Sequence, residues 1–173
     1  MGRLVQDKNP DYLIRAYKKC KDYGYKLVIA GSGIGGKKYV ESLHELASDN
    51  ENIIFTGAVH GADKDCLLRN AYTFCIPSTI EGLSIVLLEA MSYKLPVIAS
   101  DIDANYELLG ENAVYVKPEN VDDLEMALNY CIENNESINR FCSLNYTNVV
   151  ENYTWDKVAE KYVKYLHSVG CSI

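Results

Sequence analysis

Short apolar segments alternate with longer amphipathic segments along most of the chain. The apolar segments predict buried strands at about 26–30, 53–55, 73–76, 95–99 and 113–116. Apolar residues at helical spacing predict a helix that begins at Pro10 with Asn9 as its N-cap, and a helix after Gly82. Further helices are predicted at about 37–48, 62–70, 106–109, 121–134, 136–150 and 155–168. Strands that alternate with helices indicate a parallel sheet covered on both faces. We therefore predict one α/β domain with about five to six strands.

The segment 73–91 departs from this simple alternation. Its strand ends at Pro77, which has no N–H for a sheet ladder, and Gly82 is expected to permit a tight turn before the next helix. That helix is apolar on nearly every side except at Glu89, and a buried carboxylate requires a partner. Glu81 lies just before the helix, where unpaired N–H groups form an anion site. The segment predicts a ligand cradle.

Simpler explanations exist for both acids. Glu81 would stabilise the start of the helix by about 0.3–1 kcal/mol. Glu89 would turn to the surface and pair with Lys94. For two isolated acids eight residues apart these explanations are favoured, so the surrounding residues decide between them.

Composition and charge exclude several classes of function. The net charge of −7 over 173 residues argues against nucleic acid or an anionic membrane as a bulk partner. The six cysteines form no C-x-x-C pair, so neither a zinc site nor a redox pair is indicated. No signal peptide and no apolar run long enough to span a bilayer is present. We expect a cytoplasmic protein, with the inner face of the membrane as an alternative location.

Two motifs invite other interpretations. The glycines of segment 31–36 match G-x-G-x-x-G after a strand, but a dinucleotide site needs an acid at the end of the next strand, and that strand ends Phe55-Thr56-Gly57. We expect a flexible loop beside the site and no NAD. Asp101-Ile102-Asp103 matches a metal-binding D-x-D, but it follows a strand and is expected to cap the next helix. The three histidines, which are far apart, are expected on the surface or in loops: His44, His60 and His167.

An ordered set of motifs carries a family resemblance. Ile76-Pro77-Ser78, Glu81-Gly82-Leu83-Ser84, Leu88-Glu89-Ala90-Met91 and Pro96 to Asp101 closely resemble the donor-binding half of retaining glycosyltransferases of family 4 (group 1), which have the two-domain GT-B fold. Gly2-Arg3-Leu4-Val5 with Lys8-Asn9, Leu27 to Gly33, and Phe55 to Val59 are similar to that family in the same order. The resemblance runs from about residue 2 to Trp155, and implies a Rossmann-like C-terminal GT-B domain over 1–173.

The resemblance also implies roles for individual residues. Glu89 would accept hydrogen bonds from the ribose of a nucleotide-diphosphate sugar, and Glu81 would face the transferred sugar as the catalytic candidate. The remaining donor-binding residues implied are the diphosphate-binding pair Arg3 and Lys8, the base-contacting backbone at Val59, and the turn and helix start formed by Gly82, Leu83, Ser84 and Ile85. No metal and no cofactor are implied. The family commonly has Phe and Gly where Leu83 and Ser84 stand, and a Gly pair at Asp103-Ala104, so the donor sugar stays open.

The implied reaction is sugar transfer with retention to a glycan or lipid-linked acceptor. In the family an acceptor-binding domain and several apolar residues precede the Gly-Arg pair, and here Met1 stands in their place. We therefore expect the donor-binding half, with the acceptor reached through an absent N-terminal domain or a partner chain. The centre of the sheet should be incomplete there, which favours self-association or a partner that supplies a strand. The alternatives are a donor-binding subunit inactive without a separate acceptor-binding chain, and a nucleotide-sugar epimerase.

Overall fold

The computed structural model of the chain describes residues 1–33 and 36–170. The strands in this part are β1 (Leu27–Ala30), β2 (Ile53–Gly57), β3 (Phe74–Ile76), β4 (Val97–Ser100) and β5 (Val114–Val116). The α-helices are α1 (Pro10–Lys19), α2 (Lys37–Ala47), α3 (Gly61–Asn70), α4 (Ile85–Ser92), α5 (Asp103–Leu109), α6 (Val121–Glu133), α7 (Asn135–Asn152) and α8 (Trp155–Ser168). A short 3-10 turn, Gln6–Lys8, precedes α1. Each predicted strand and helix is present within a few residues of its expected bounds.

The strands are parallel but belong to two sheets. β1 pairs with β2, and β4 pairs with β3 on one side and with β5 on the other. The α/β class with parallel strands is confirmed. The strands of the described part form two sheets and not one, because no strand among these residues joins β1 to β3. Within the described residues β3 is an edge strand of its sheet.

A cavity of about 1070 Å³ lies between the free edges of β1 and β3. Both strands line it, together with apolar side chains of the flanking helices such as Leu13 of α1 and Leu128 of α6. No strand of the described part fills the space between these two edges. The predicted gap in the centre of the sheet is confirmed.

The start of the chain runs along the end of β1, at the mouth of this cavity. The Gly2 N–H donates to the Ala30 carbonyl over 2.8 Å, and the Leu4 N–H donates to the Ser32 carbonyl over 3.0 Å. This approach explains Gly31, where an added Cβ would lie 1.7 Å from the Gly2 carbonyl oxygen. Gly31 thus serves close backbone packing as well as the loop predicted at 31–36, of which residues 34–35 lie outside the described part.

Helices cover both faces of the β3–β4–β5 sheet, as predicted. All four residues of β4 are buried, and successive side chains of a strand point to opposite faces. Val97 and Ala99 pack in a cluster with α4 and α7, whereas Ile98 packs in a second cluster with α1 and α6. The double covering explains why this strand is apolar at successive positions.

The final helix, α8, presents its apolar side chains outward. No residue of α8 is buried, and the stripe at helical spacing is exposed: Trp155, Val158, Tyr162, Tyr165 and, just after the helix, Val169. The helix was predicted correctly, but its stripe has little of the core to pack against. Within residues 1–33 and 36–170, no helix has both the length and the apolar character needed to cross a bilayer.

Candidate functional site

The loop after β3 is held by the residues that precede α1. The Asn9 side chain donates to the Pro77 carbonyl over 2.9 Å, and the Thr79 N–H donates to the Asp7 carbonyl over 2.9 Å. Asn9 is 3% exposed and adopts a left-handed backbone conformation with φ of 48°. Asn9 was expected to cap α1 through its side chain. It is the residue before the helix, but its side chain makes no capping bond, because the amide is used by the loop.

Lys8 and Glu81 form an ion pair in this loop. The Lys8 Nζ lies 2.7 Å from the Glu81 Oε1, with the side chains 28% and 9% exposed, respectively. The same ammonium donates to the Ile80 carbonyl over 3.3 Å. Glu81 is therefore a largely buried carboxylate held by a cation, and Lys8 is more than a solvated charge near the chain start.

The start of α4 presents unpaired backbone donors beside this pair. Ser84 precedes the helix and makes no side-chain cap, and in the part of the chain that is described no acceptor pairs with the N–H groups of Leu83, Ser84 or Ile85. The first N–H groups of a helix lack intrahelical partners and carry its positive dipole end. The side chains of Leu83 and Ile85 are exposed. This end of α4 can accept an anion.

Gly82, between Glu81 and this helix start, was expected to permit a tight turn. Its φ lies outside the left-handed region, so its backbone does not require glycine. A Cβ added there would meet no protein atom within 4 Å. The absence of a side chain at Gly82 leaves open space in front of α4.

Glu89 was expected either inside the protein with a partner or at the surface in an ion pair with Lys94, and its position lies between the two. Its side chain is 31% exposed, so the carboxylate is only partly buried, and its partner is Lys64 of α3, whose Nζ lies 2.5 Å from the Glu89 Oε1. Lys94, the partner in the simpler explanation, places its ammonium 4.7 Å from the centre of the Tyr146 ring. Nothing in the sequence near Glu89 indicates Lys64, which lies 25 residues earlier on another helix.

The residue after Lys64 fixes α3 against the end of α4. Asp65 accepts from the Arg69 Nε over 2.7 Å and from the Tyr93 hydroxyl. The Arg69 guanidinium also lies 5.4 Å from the centre of the Tyr93 ring. Hydrogen bonds from Arg69 and Tyr93 lower the pKa of the Asp65 carboxyl, and the bond to Asp65 raises the pKa of the Tyr93 hydroxyl. These contacts keep Lys64 opposite Glu89.

The structure gathers most of the predicted site residues around one cavity. Six of them line it together with β1 and β3: Arg3, Lys8, Glu81, Leu83, Ser84 and Ile85. Arg3 is exposed at the cavity mouth. Glu89 lies one to two turns into α4, away from the lining, and Val59 lies half-buried in the loop between β2 and α3. Sequence reasoning missed Lys64 and the role of Asn9 in positioning the loop.

The groups considered for other chemistry have structural explanations. Among residues 1–33 and 36–170 no three His, Cys, Asp or Glu side chains come close enough to hold a metal. Asp103 is the first residue of α5, the preceding residue is Ile102, and no side chain caps this helix, so the predicted capping is wrong. The histidines are exposed as expected, with the His44 ring 4.1 Å from that of Phe55. Burial raises the pKa of the Cys75 thiol on β3 to about 12, which keeps it protonated at neutral pH.

Comparison with known proteins identifies the family. The model of the family described as "Glycosyl transferases group 1" matches residues 1–146. The chain belongs to the group 1 glycosyltransferases. An uncharacterized glycosyltransferase of Methanocaldococcus jannaschii is 32% identical over 166 residues, which cover 94% of this chain and 42% of that protein. The O-antigen chain mannosyltransferase RfbU of Salmonella typhimurium is 30% identical over 163 residues, which cover 92% of this chain and 44% of the relative.

Solved structures agree on the fold. The Anabaena protein HepE in complex with UDP superimposes with a TM-score of 0.87 at 22% identity, over 96% of this chain and 48% of that one. The C-terminal domain of the group 1 glycosyl transferase LpcC from Francisella tularensis superimposes with a TM-score of 0.79 at 22% identity, over 90% of this chain and 84% of that one. The fold is that of the C-terminal domain of a GT-B glycosyltransferase. The chain spans less than half the length of the two curated relatives described above.

Proposed function

We propose that this glycosyltransferase chain binds a nucleotide-diphosphate sugar and serves as the donor-binding half of a retaining transferase. The observation that carries the proposal is the convergence of the Lys8–Glu81 pair and the unpaired N–H groups at the start of α4 on one cavity. A diphosphate needs cations and oriented N–H donors, and a sugar needs hydrogen-bond acceptors such as a carboxylate. The N–H donors and the carboxylate lie in the loop after β3 and the helix that follows it, and the cations Arg3 and Lys8 come from the segment before α1.

The proposed placement of the donor follows the charges. The diphosphate lies between the start of α4 and the cations Arg3 and Lys8, and the sugar hydroxyls face Glu81 across the open space at Gly82. The ribose bonds to Glu89, and the base contacts the backbone near Val59. Glycosyl transfer leaves negative charge on the departing diphosphate, and helix N–H groups and cations stabilise such charge as it develops. We propose that this stabilisation comes from the protein without a metal ion.

The acceptor is proposed to come from outside these residues. Transfer requires the acceptor oxygen within about 3–3.5 Å of the anomeric carbon. The groups described here account for a donor, and none is left to orient a glycan or a lipid-linked acceptor opposite Glu81. We propose that the acceptor reaches the sugar through another domain or a partner chain.

Isothermal titration calorimetry with a panel of nucleotide sugars tests donor binding, and UDP-glucose is the first candidate because the HepE structure has also been determined with UDP-glucose. We expect measurable but weak binding that EDTA leaves unchanged. Glu81→Gln should weaken binding of the nucleotide sugar more than binding of the nucleoside diphosphate that lacks the sugar. Failure of every nucleotide sugar to bind the folded chain would overturn the proposal.

An assay of turnover tests the half-enzyme assignment. The purified chain is incubated with labelled nucleotide sugar, with and without a panel of glycan and lipid-linked acceptors. We expect no transfer above the rate of hydrolysis. Transfer by the chain alone would refute the division of roles between two domains, and conversion of the sugar without acceptor would instead identify an epimerase. Where a full-length relative of the chain supplies the acceptor domain, NMR of the product should show a retained anomeric configuration.

A further inference from the structure

We infer that Lys64 is a positioning residue for the nucleotide's ribose, acting by holding the Glu89 carboxylate in the orientation that accepts the ribose hydroxyls. This inference rests on the proposed function, because it assumes that Glu89 meets a ribose. Lys64 itself matches no motif of the sequence. What indicates its role is the 2.5 Å contact between its Nζ and the Glu89 Oε1.

The Lys64–Glu89 pair leaves acceptor sites of the Glu89 carboxylate free for a ligand. The two side chains are 33% and 31% exposed, so the pair is open to solvent on one side. Lys64 donates to Oε1, and among the described residues no donor approaches the Glu89 Oε2. A carboxylate has about four acceptor sites, and the two hydroxyls of a ribose provide two donors. Glu89 can therefore keep Lys64 and still accept both hydroxyls.

The rest of the site explains why the carboxylate needs such a partner. Glu89 extends from the middle of α4, and its neighbours Leu87, Ala90 and Met91 in that helix are fully buried. A glutamate has three side-chain torsions, and an unrestrained one loses rotamer freedom when a ligand fixes it. A cation that fixes the carboxylate in advance reduces that loss, which is the general basis of pre-organisation.

Lys64 is in turn held by neighbouring contacts. Leu68 of α3 packs with Leu87 and Leu88 of α4 in one buried cluster. Asp65 bonds to Tyr93 just after α4. Asp65 and Leu68 both follow Lys64 in α3, so this part of the helix, from which the Lys64 side chain extends, is held close to α4. The Lys64–Glu89 pair therefore joins two helices that also share a buried cluster.

The test compares ribonucleotides with nucleotides that lack the ribose hydroxyls. Affinities of the wild-type chain and of Lys64→Met for UDP and for 2′,3′-dideoxy-UDP are measured by calorimetry. Methionine keeps the apolar stem and removes the ammonium. We expect Lys64→Met to weaken UDP binding by about 5- to 20-fold, within the range of coupling between residues in contact, and to leave dideoxy-UDP binding nearly unchanged. Lys64→Arg should recover most of the lost affinity.

Lys94→Met is the matched control. It removes the same charge from the neighbourhood of α4, but its ammonium lies against Tyr146 and not against Glu89. A general effect of positive charge on an anionic ligand would appear in both variants and for both ligands, and would overturn the inference. So would tighter UDP binding by Lys64→Met, which would mean that Lys64 competes with the ribose.

The remaining outcomes distinguish failure of the role inferred for Lys64 from failure of the proposed donor binding. If the wild-type chain binds UDP well and dideoxy-UDP poorly, but Lys64→Met keeps that difference, Lys64 has no positioning role and the proposed function stands. If the wild-type chain binds neither ligand nor any nucleotide sugar, the proposed function fails and the inference fails with it.

Discussion

The ion pair between Lys8 and Glu81 predicts that removing the two partners has unequal effects on stability. Lys8→Met leaves the Glu81 carboxylate, whose side chain is 9% exposed, without its cation. Glu81→Gln leaves Lys8, which is 28% exposed and still donates to the Ile80 carbonyl. The ammonium can turn to water, whereas the carboxylate cannot do so without opening the loop. The lysine variant should therefore be the less stable one.

The size of the difference follows from the exposure of the two groups. Breaking a buried ion pair by removing one partner costs about 3–5 kcal/mol, and an exposed pair contributes about 0–1 kcal/mol. Since the pair lies between these limits, we expect Lys8→Met to lower the free energy of unfolding by about 2 kcal/mol. For Glu81→Gln we expect a loss of about 0.5–1 kcal/mol. The double variant should be about 1 kcal/mol more stable than the sum of the single effects predicts.

Urea unfolding at pH 7, followed by circular dichroism, measures these differences. The dependence of the unfolding free energy on urea should be the same for all variants, so that the midpoints report stability directly. Lys38→Met, which replaces an exposed lysine of α2, is the control and should stay within about 0.5 kcal/mol of the wild type. The reasoning is refuted if Glu81→Gln destabilises as much as Lys8→Met, or if Lys8→Met has the effect of the control.

Further predictions concern ligand binding and association. Glu89→Gln should weaken nucleotide-sugar binding by roughly 1.5–3 kcal/mol, the worth of a hydrogen bond to a charged group, and unchanged affinity by calorimetry in a folded variant would exclude the ribose role. Arg3→Ala should weaken binding of the diphosphate and hardly that of the nucleoside, with a loss that shrinks as salt screens the exposed charge over about 8–10 Å; equal losses for both ligands would contradict a phosphate contact. Gly82→Ala should keep or slightly raise the free energy of unfolding, by up to about 1 kcal/mol, while weakening sugar-nucleotide binding, and a destabilised variant would show that the open space has a structural role. The free edges of β1 and β3 should make the chain associate as its concentration rises, and sedimentation velocity showing only monomer across that range would contradict this.

The elements of the fold were predictable because their signals are local. Strands such as Val97–Ser100 are short apolar runs, and their double covering follows from burial on both faces. The expected cap at Asn9 failed for a different reason. Capping preference describes a residue and its own helix, whereas the Asn9 amide bonds to Pro77, 68 residues away. The local capping preference of Asn9 therefore did not predict the bond that its side chain makes.

Which residues belong to the site could be predicted, but which of their side chains bond to each other could not. The motifs name Lys8 and Glu81, but the sequence offers no sign that these two side chains bond to each other. Lys64 is the clearest case, because a lysine in the first turn of a polar helix normally predicts only a solvated charge. Its contact with Glu89 depends on how α3 lies relative to α4, and the two helices share one buried cluster through residues such as Leu68. The exposed stripe of α8 is the converse case, since helical spacing predicts a helix but not the surface it packs on.

The division of the strands into two sheets has a consequence for local opening of the molecule. Helix α1 packs against α2 and β1 on one side and against α6 on the other. The two halves of the described part are therefore connected by helix packing and by the contacts of residues 7–9 with the loop after β3, and by no strand ladder between β1 and β3. We therefore expect the backbone amides of the two sheets to exchange with solvent in two cooperative units, each with its own opening free energy. A donor that contacts Arg3 and Lys8 on one side and the start of α4 on the other would bridge both units. Ligand binding would then slow hydrogen exchange in β1 and β2 as well as in β3 to β5, and the two halves would open as one.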